Sequence, residues 1–159
     1  MSTISVVSGA ATGPTELSAY DAALADAGVA NYNLVTVSSV IPAGAAVEVV
    51  GTAPDLGPAG DRLTVVEARA TTAGPGSVCA GLGWTESVDE GPGLFYEAAG
   101  EMEADDVERR IREGLVAGGD LREWELGEPS VRLSRSEAAA GEYASAVVLA
   151  VYGESEPIV

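Results

Sequence analysis

Two adjacent hydroxyls, Ser38 and Ser39, follow the run Leu34-Val-Thr-Val37, and neither glycine nor proline stands there to make an ordinary turn. The β-branched, apolar run predicts a strand. Its end places a nucleophilic oxygen, Ser39 Oγ, one residue after a peptide carbonyl. Held in a strained backbone, that oxygen can attack the Ser38 carbonyl and convert the amide to an ester. Elimination from the ester would cut the chain and leave a dehydroalanine, which hydrolyses to a pyruvoyl group on the new N-terminus. Taken alone, a Ser-Ser pair ending an edge strand and bonding its own backbone accounts for the same two residues.

Two carboxylates interrupt apolar company elsewhere. In Leu94-Phe-Tyr-Glu-Ala-Ala-Gly100, strand alternation puts Phe95 and Glu97 on one face and Leu94, Tyr96 and Ala98 on the other. From the residues alone, an exposed strand face is the better account of a lone Glu there. In the helix expected after Thr12 or Thr15 and before Gly28, Leu17, Tyr20, Leu24 and Ala27 define an apolar face, and Asp21 falls on it. A carboxylate there needs a partner, a subunit junction or a route to solvent, because burying it alone is costly.

The composition narrows the chemistry further. The chain has 159 residues, 25 acidic and 8 basic, for a net charge of −17; all the basic residues are arginine, and there is neither lysine nor histidine. Ser-His-Asp and Cys-His catalysis, histidine-ligated zinc and a lysine-bound pyridoxal cofactor each lack an essential group, and no residues are read as metal ligands. The single Cys79 forms no intrachain disulfide and reads as a small buried hydrophobe. Such acidity disfavours nucleic acid and anionic membranes as partners. It fits a halophilic cytoplasm, where molar salt shortens the Debye length to roughly 3 Å and mutes carboxylate repulsion. With 47% hydrophobic residues the chain is no acidic disordered protein. Its N-terminus shows no signal sequence and no run reaches the ~20 apolar residues of a membrane span, so a cytoplasmic protein is expected.

The elements that must position these residues follow from the pattern. Strands are expected at Ile4 to Ser8, Val47 to Val50, Leu63 to Thr71, Ser77 to Trp84, around Leu94 to Gly100, at Trp124 to Ser134 and at Tyr143 to Val151, with Gly9 to Pro14 a connection. The middle strands look like an antiparallel meander. Ser77 to Trp84 carries glycines where a neighbour approaches closely, and Tyr143 to Val151 is apolar enough for the middle of a sheet. A second helix is expected from Asp105 to Ala117, on Val107, Ile111 and Leu115, ending at Gly118-Gly119; Gly153 to Val159 reads as a frayed tail. Two helices and seven or eight strands make one α+β domain.

The stretch Asn33-Leu-Val-Thr-Val-Ser-Ser39-Val-Ile-Pro42, preceded by Ala19-Tyr-Asp21-Ala-Ala-Leu24-Ala-Asp-Ala-Gly28, resembles the pyruvoyl-dependent arginine decarboxylases of archaea. The resemblance implies an αββα sandwich of antiparallel sheets covered by helices, self-cleaved into residues 1–38 and 39–159. It also implies assembly as a homotrimer or a dimer of trimers, with active sites between subunits. It makes Ser39 the future pyruvoyl, Glu97 the proton donor that completes decarboxylation of arginine to agmatine, and Asn33 a polar neighbour able to polarise a carbonyl. Asp21 would bind the guanidinium, with Ser38, Leu24 and Val40 lining the substrate. At Thr36, where the family often carries a long basic side chain, this chain departs from the pattern. Another cationic amino acid as substrate, or an unprocessed, noncatalytic oligomeric binding protein of the same fold, are the alternatives.

Overall fold

The computed structural model describes residues 2–159. The chain runs β1 (Thr3–Gly13), α1 (Glu16–Asp26), β2 (Asn33–Thr36), β3 (Val40–Ile41), β4 (Ala46–Gly51), β5 (Arg62–Ala73), β6 (Gly76–Thr85), β7 (Gly93–Gly100), α2 (Ala104–Arg122), β8 (Ser130–Ala138) and β9 (Tyr143–Tyr152). Two sheets result, ordered β2-β5-β9-β1-β4 and β3-β7-β6-β8. Helix α1 lies on the outer face of the first sheet against β1, β9 and β5, and α2 on the outer face of the second against β6, β7 and β8. The layers are therefore α, β, β, α. Among the described residues no helix is long and apolar enough to cross a membrane.

Three apolar clusters correspond to the three interfaces between layers. Ile4, Val66, Ala68, Val78, Leu82, Trp84, Phe95 and Val148 are among the residues filling the space between the sheets. Val7, Ala23, Leu24, Ala27, Leu63 and Leu149 belong to the α1 interface. Cys79, Leu94, Val107, Ile111 and Leu115 close the α2 interface. Strand β9, apolar on both faces, occupies the centre of its sheet as its composition requires.

Several sequence expectations change. The strands do not form a meander: β1 pairs with β4 and β2 with β5 in parallel, and β5 and β6, though consecutive, belong to different sheets. The first sheet is thus mixed, and only the second is wholly antiparallel. Strand β1 continues through Gly9 to Gly13, because α1 lies so close that any side chain at Gly9 would strike the Ala23 carbonyl. Helix α2 runs through Gly118 and Gly119 to Arg122, since Leu94 and Leu126 pack where side chains at those glycines would stand. Tertiary packing outweighs their low helix propensity. The strand expected from Trp124 begins only at Ser130. The C-terminal tail is pinned, with Arg62 and Glu156 joined by backbone bridging and an ion pair, and Ser155 Oγ donating to the Leu56 carbonyl.

Helix α1 starts as expected, with Thr15 capping the Ser18 amide. Its buried stripe, however, is Ala19, Ala23, Leu24 and Ala27, not one through Leu17, which is 74% exposed. Small residues let the helix sit flush on β1, and this rotates Leu17 and Asp21 outward together.

Candidate active site

Strand β2 belongs to the first sheet and β3 to the second, so Val37, Ser38 and Ser39 carry the chain across the edge of the sandwich. Both ends of the crossing are anchored. On one side the Val37 amide donates to the Val65 carbonyl at 2.9 Å, continuing the parallel β2–β5 ladder. On the other the Phe95 amide donates to the Ser39 carbonyl at 2.7 Å, continuing the β3–β7 ladder. Tyr152, the last residue of β9, adds a hydroxyl bond to the Val40 carbonyl at 2.9 Å. The scissile candidate, the Ser38–Ser39 peptide, lies between these fixed points, with Ser38 exposed and Ser39 half-buried.

Glu97 lies two residues beyond Phe95, about 7 Å along the strand. It pairs with Leu82 of the inter-sheet core and so shares the inward face of β7 with Phe95. At the open rim of that face the residue meets solvent, yet desolvation by the surrounding apolar groups pushes its pKa up, against a smaller opposing pull from its own backbone amide. A carboxyl that holds its proton more readily than an ordinary Glu, on the strand whose Phe95 amide binds the Ser39 carbonyl, is suited to give that proton to a carbanion.

The remaining candidates are not gathered there. Asp21 is exposed on the outer side of α1, so the first sheet separates it from the inward face that carries Glu97. Leu24 is buried between α1 and that sheet, 8% exposed. The apolar wall expected of it is therefore absent in a single protomer. Asn33 begins β2, about 10 Å from the Thr36 end, and donates its amide to the Gly60 carbonyl at 2.8 Å. Val40 is adjacent to Ser39 and 40% exposed.

The model of the family described as pyruvoyl-dependent arginine decarboxylase matches residues 3–157. The chain belongs to that family. A pyruvoyl-dependent arginine decarboxylase of Halobacterium salinarum is 59% identical over 158 residues, covering 99% of this chain and 98% of that protein. One from Pyrococcus abyssi is 35% identical over 147 residues, covering 92% and 90%. A solved pyruvoyl-dependent histidine decarboxylase aligns with a TM-score of 0.49 at 16% identity, over 64% of this chain and 54% of that one.

The residues fit the pyruvoyl group that defines the family. Ser39 would supply its atoms, at a crossing held on both sides, and the Phe95 amide bonds the carbonyl next to the carbon that would become the ketone. Sequence reasoning singled out Ser38, Ser39, Val40 and Glu97 but not the Phe95 amide, the Val65 carbonyl or the Tyr152 hydroxyl that hold the crossing. The first two are backbone groups and leave no residue-type signal. Tyr152 is 112 positions from Val40, and only the fold brings the two together.

Proposed function

We propose that this chain decarboxylates L-arginine to agmatine and carbon dioxide after cutting itself between Ser38 and Ser39 into fragments 1–38 and 39–159. The observation that carries the reading is the position of the Ser-Ser pair: a crossing between two sheets, anchored at Val37 and at Ser39, in a chain with no lysine or histidine to handle an amine by other means. Fixed ends limit how the peptide between them can relax, which favours attack by Ser39 Oγ on the Ser38 carbonyl.

Once formed, the pyruvoyl group would supply an electrophilic ketone for the substrate amine and an electron sink for the bond lost with carbon dioxide. The chain's own groups do the rest. The Phe95 amide, donating to the Ser39 carbonyl, favours negative charge on that oxygen. Glu97, with its raised pKa, holds a proton for the carbon that has lost carboxylate. Ser38 and Val40 flank the reacting residue.

Asp21 is assigned to the guanidinium, and its place on the far side of the first sheet requires that a neighbouring protomer supply it. Asn33 likewise stands outside the single-chain site. Exposed apolar side chains on both surfaces support this assembly: Val35, Val37 and Val40 at the crossing, and Leu17 one helical turn from Asp21. We therefore propose a homotrimer or a dimer of trimers. Closing a subunit over the pair would also shield an Asp–guanidinium contact from the salt that the acidic surface suits.

Intact mass tests the reading directly. Purified in native salt, the protein should resolve into two fragments; a single species of 16.0 kDa refutes self-processing and favours a noncatalytic binding protein. Turnover of arginine, lysine and ornithine, followed by carbon dioxide release, then tests the substrate. Arginine should be the one consumed.

A further inference from the structure

Strand β3 is two residues long and forms the edge of its sheet. Its Ser39 side faces β7, through the bond from the Phe95 amide. Successive carbonyls along a strand point in opposite directions. The Val40 carbonyl therefore points away from β7, where the second sheet offers it no donor. The Tyr152 hydroxyl meets it at 2.9 Å, from the end of β9 in the opposite sheet. The ring is held in place as well, edge-on to Phe95 at 6.2 Å, and Phe95 packs on Trp84 at 6.3 Å. Before scission the peptide chain itself joins the two sheets at this edge. Afterwards residues 39–41 end in a free tip carried by a two-residue strand.

We propose that Tyr152 is a positioning residue for self-processing and turnover, strapping the new N-terminal segment to the opposite sheet through the Val40 carbonyl. The inference rests on the self-processing reading above. In that chemistry the Ser39 hydroxyl adds to the Ser38 carbonyl carbon, the C–N bond breaks, and the freed nitrogen takes the proton, leaving an ester. Loss of the Ser39 Cα proton with cleavage of the Cβ–O bond then expels Ser38 as a carboxylate. The resulting dehydroalanine takes up water and loses ammonia. Elimination requires the Cα–H bond to stand across the plane of the Ser39 carbonyl, so that the developing charge spreads onto that oxygen. The Phe95 amide fixes one carbonyl of this segment and Tyr152 the next, which together set the plane. Simple hydrolysis of the ester makes no such demand, and it leaves a fragment that begins with an intact Ser39. Burial pushes the Tyr152 pKa up to about 12, which keeps its hydroxyl a donor throughout the neutral range.

Tyr152→Phe retains the ring packing and removes only the donor. Losing one neutral hydrogen bond is expected to slow cleavage about tenfold. Part of the larger fragment should then carry N-terminal serine, heavier than the pyruvoyl form by one ammonia. On the fully processed fraction, kcat should fall with KM unchanged. The thermal midpoint and oligomer size report whether the variant is folded. A second variant with 3-fluorotyrosine at position 152, slightly larger but still a donor, should keep wild-type cleavage products, and a loss there equal to that in Tyr152→Phe would assign the effect to packing and overturn the proposal. So would a Tyr152→Phe chain that cleaves, partitions and turns over as wild type does. An uncleaved wild-type chain instead overturns the processing reading, and this inference with it.

Discussion

The chain also passes from the first sheet to the second at Ala73–Gly76, and the comparison with Val37–Ser39 is instructive. Gly74 and Pro75 make up that other passage, before Gly76 opens β6. A side chain at Gly74 would collide with the Ala139 carbonyl, while the Gly74 amide donates to the Glu142 carbonyl at 2.8 Å. The neighbouring β8–β9 passage uses Gly141 at φ +86° and a bond from the Ala139 amide to the Glu142 carboxylate at 2.8 Å. These passages turn with residues suited to turning. The crossing at Ser38-Ser39 has neither glycine nor proline, and it carries hydroxyls between two fixed ends. A passage built only to connect would be expected to resemble the first kind.

The largest effect that would break this contrast is removal of the nucleophile. Ser39→Ala should abolish cleavage and decarboxylation together, seen as one uncut species by mass and no carbon dioxide from arginine. Glu97→Gln comes next: it should cleave normally and lose on the order of 10²–10⁴ in kcat, the usual worth of a placed general acid. Loss of cleavage as well would move Glu97 into folding or processing. Because burial raises the pKa of Glu97, its protonated form persists to higher pH than that of an ordinary Glu. Wild-type turnover should therefore decline as pH rises through that raised value, and Glu97→Gln should lack this alkaline limb in a pH–rate profile. Asp21→Asn should raise KM for arginine by about 10- to 100-fold, the worth of a charge-assisted bond, with cleavage intact. An unchanged KM would free Asp21 from the substrate. Gly74→Ala sharpens the comparison with the smallest catalytic effect. Overpacking against the Ala139 carbonyl should cost about 1–3 kcal/mol of stability in denaturant melts, while the folded fraction still cleaves at the wild-type rate.

Much of the site was legible in the residues. Ser38-Ser39 stood out because a strand ended without turn chemistry, and Glu97 because a carboxylate shared a face with Phe95. The structure keeps Glu97 on the Phe95 face, since alternation along one strand is a local property, and it keeps the serines at the end of the β2 strand. Asp21 was misplaced on the helix because Leu17 was taken as an inward anchor. Alanines at 19, 23 and 27 form the real contact, and a helix packed that closely has no room inside for Leu17. The same preference for small residues hid the length of β1, whose glycines read as a connection. Gly118 and Gly119 misled in the opposite sense, because the leucines that stabilise the helix there come from β7 and from the loop after α2.

The sequence by itself determined the chemical inventory: a Ser-Ser pair after a β-branched strand, two carboxylates in apolar company, no lysine or histidine, and the resemblance that the family match confirms. Those are matters of residue type and short spacing, which the chain states directly. Only the tertiary structure decided that the serines bridge two sheets, that Phe95 and Tyr152 hold the carbonyls on their far side, and that Asp21 and Glu97 lie on opposite sides of the first sheet. Each depends on pairings between strands and helices distant along the chain, and such pairings are settled by which faces pack together rather than by any one segment's pattern.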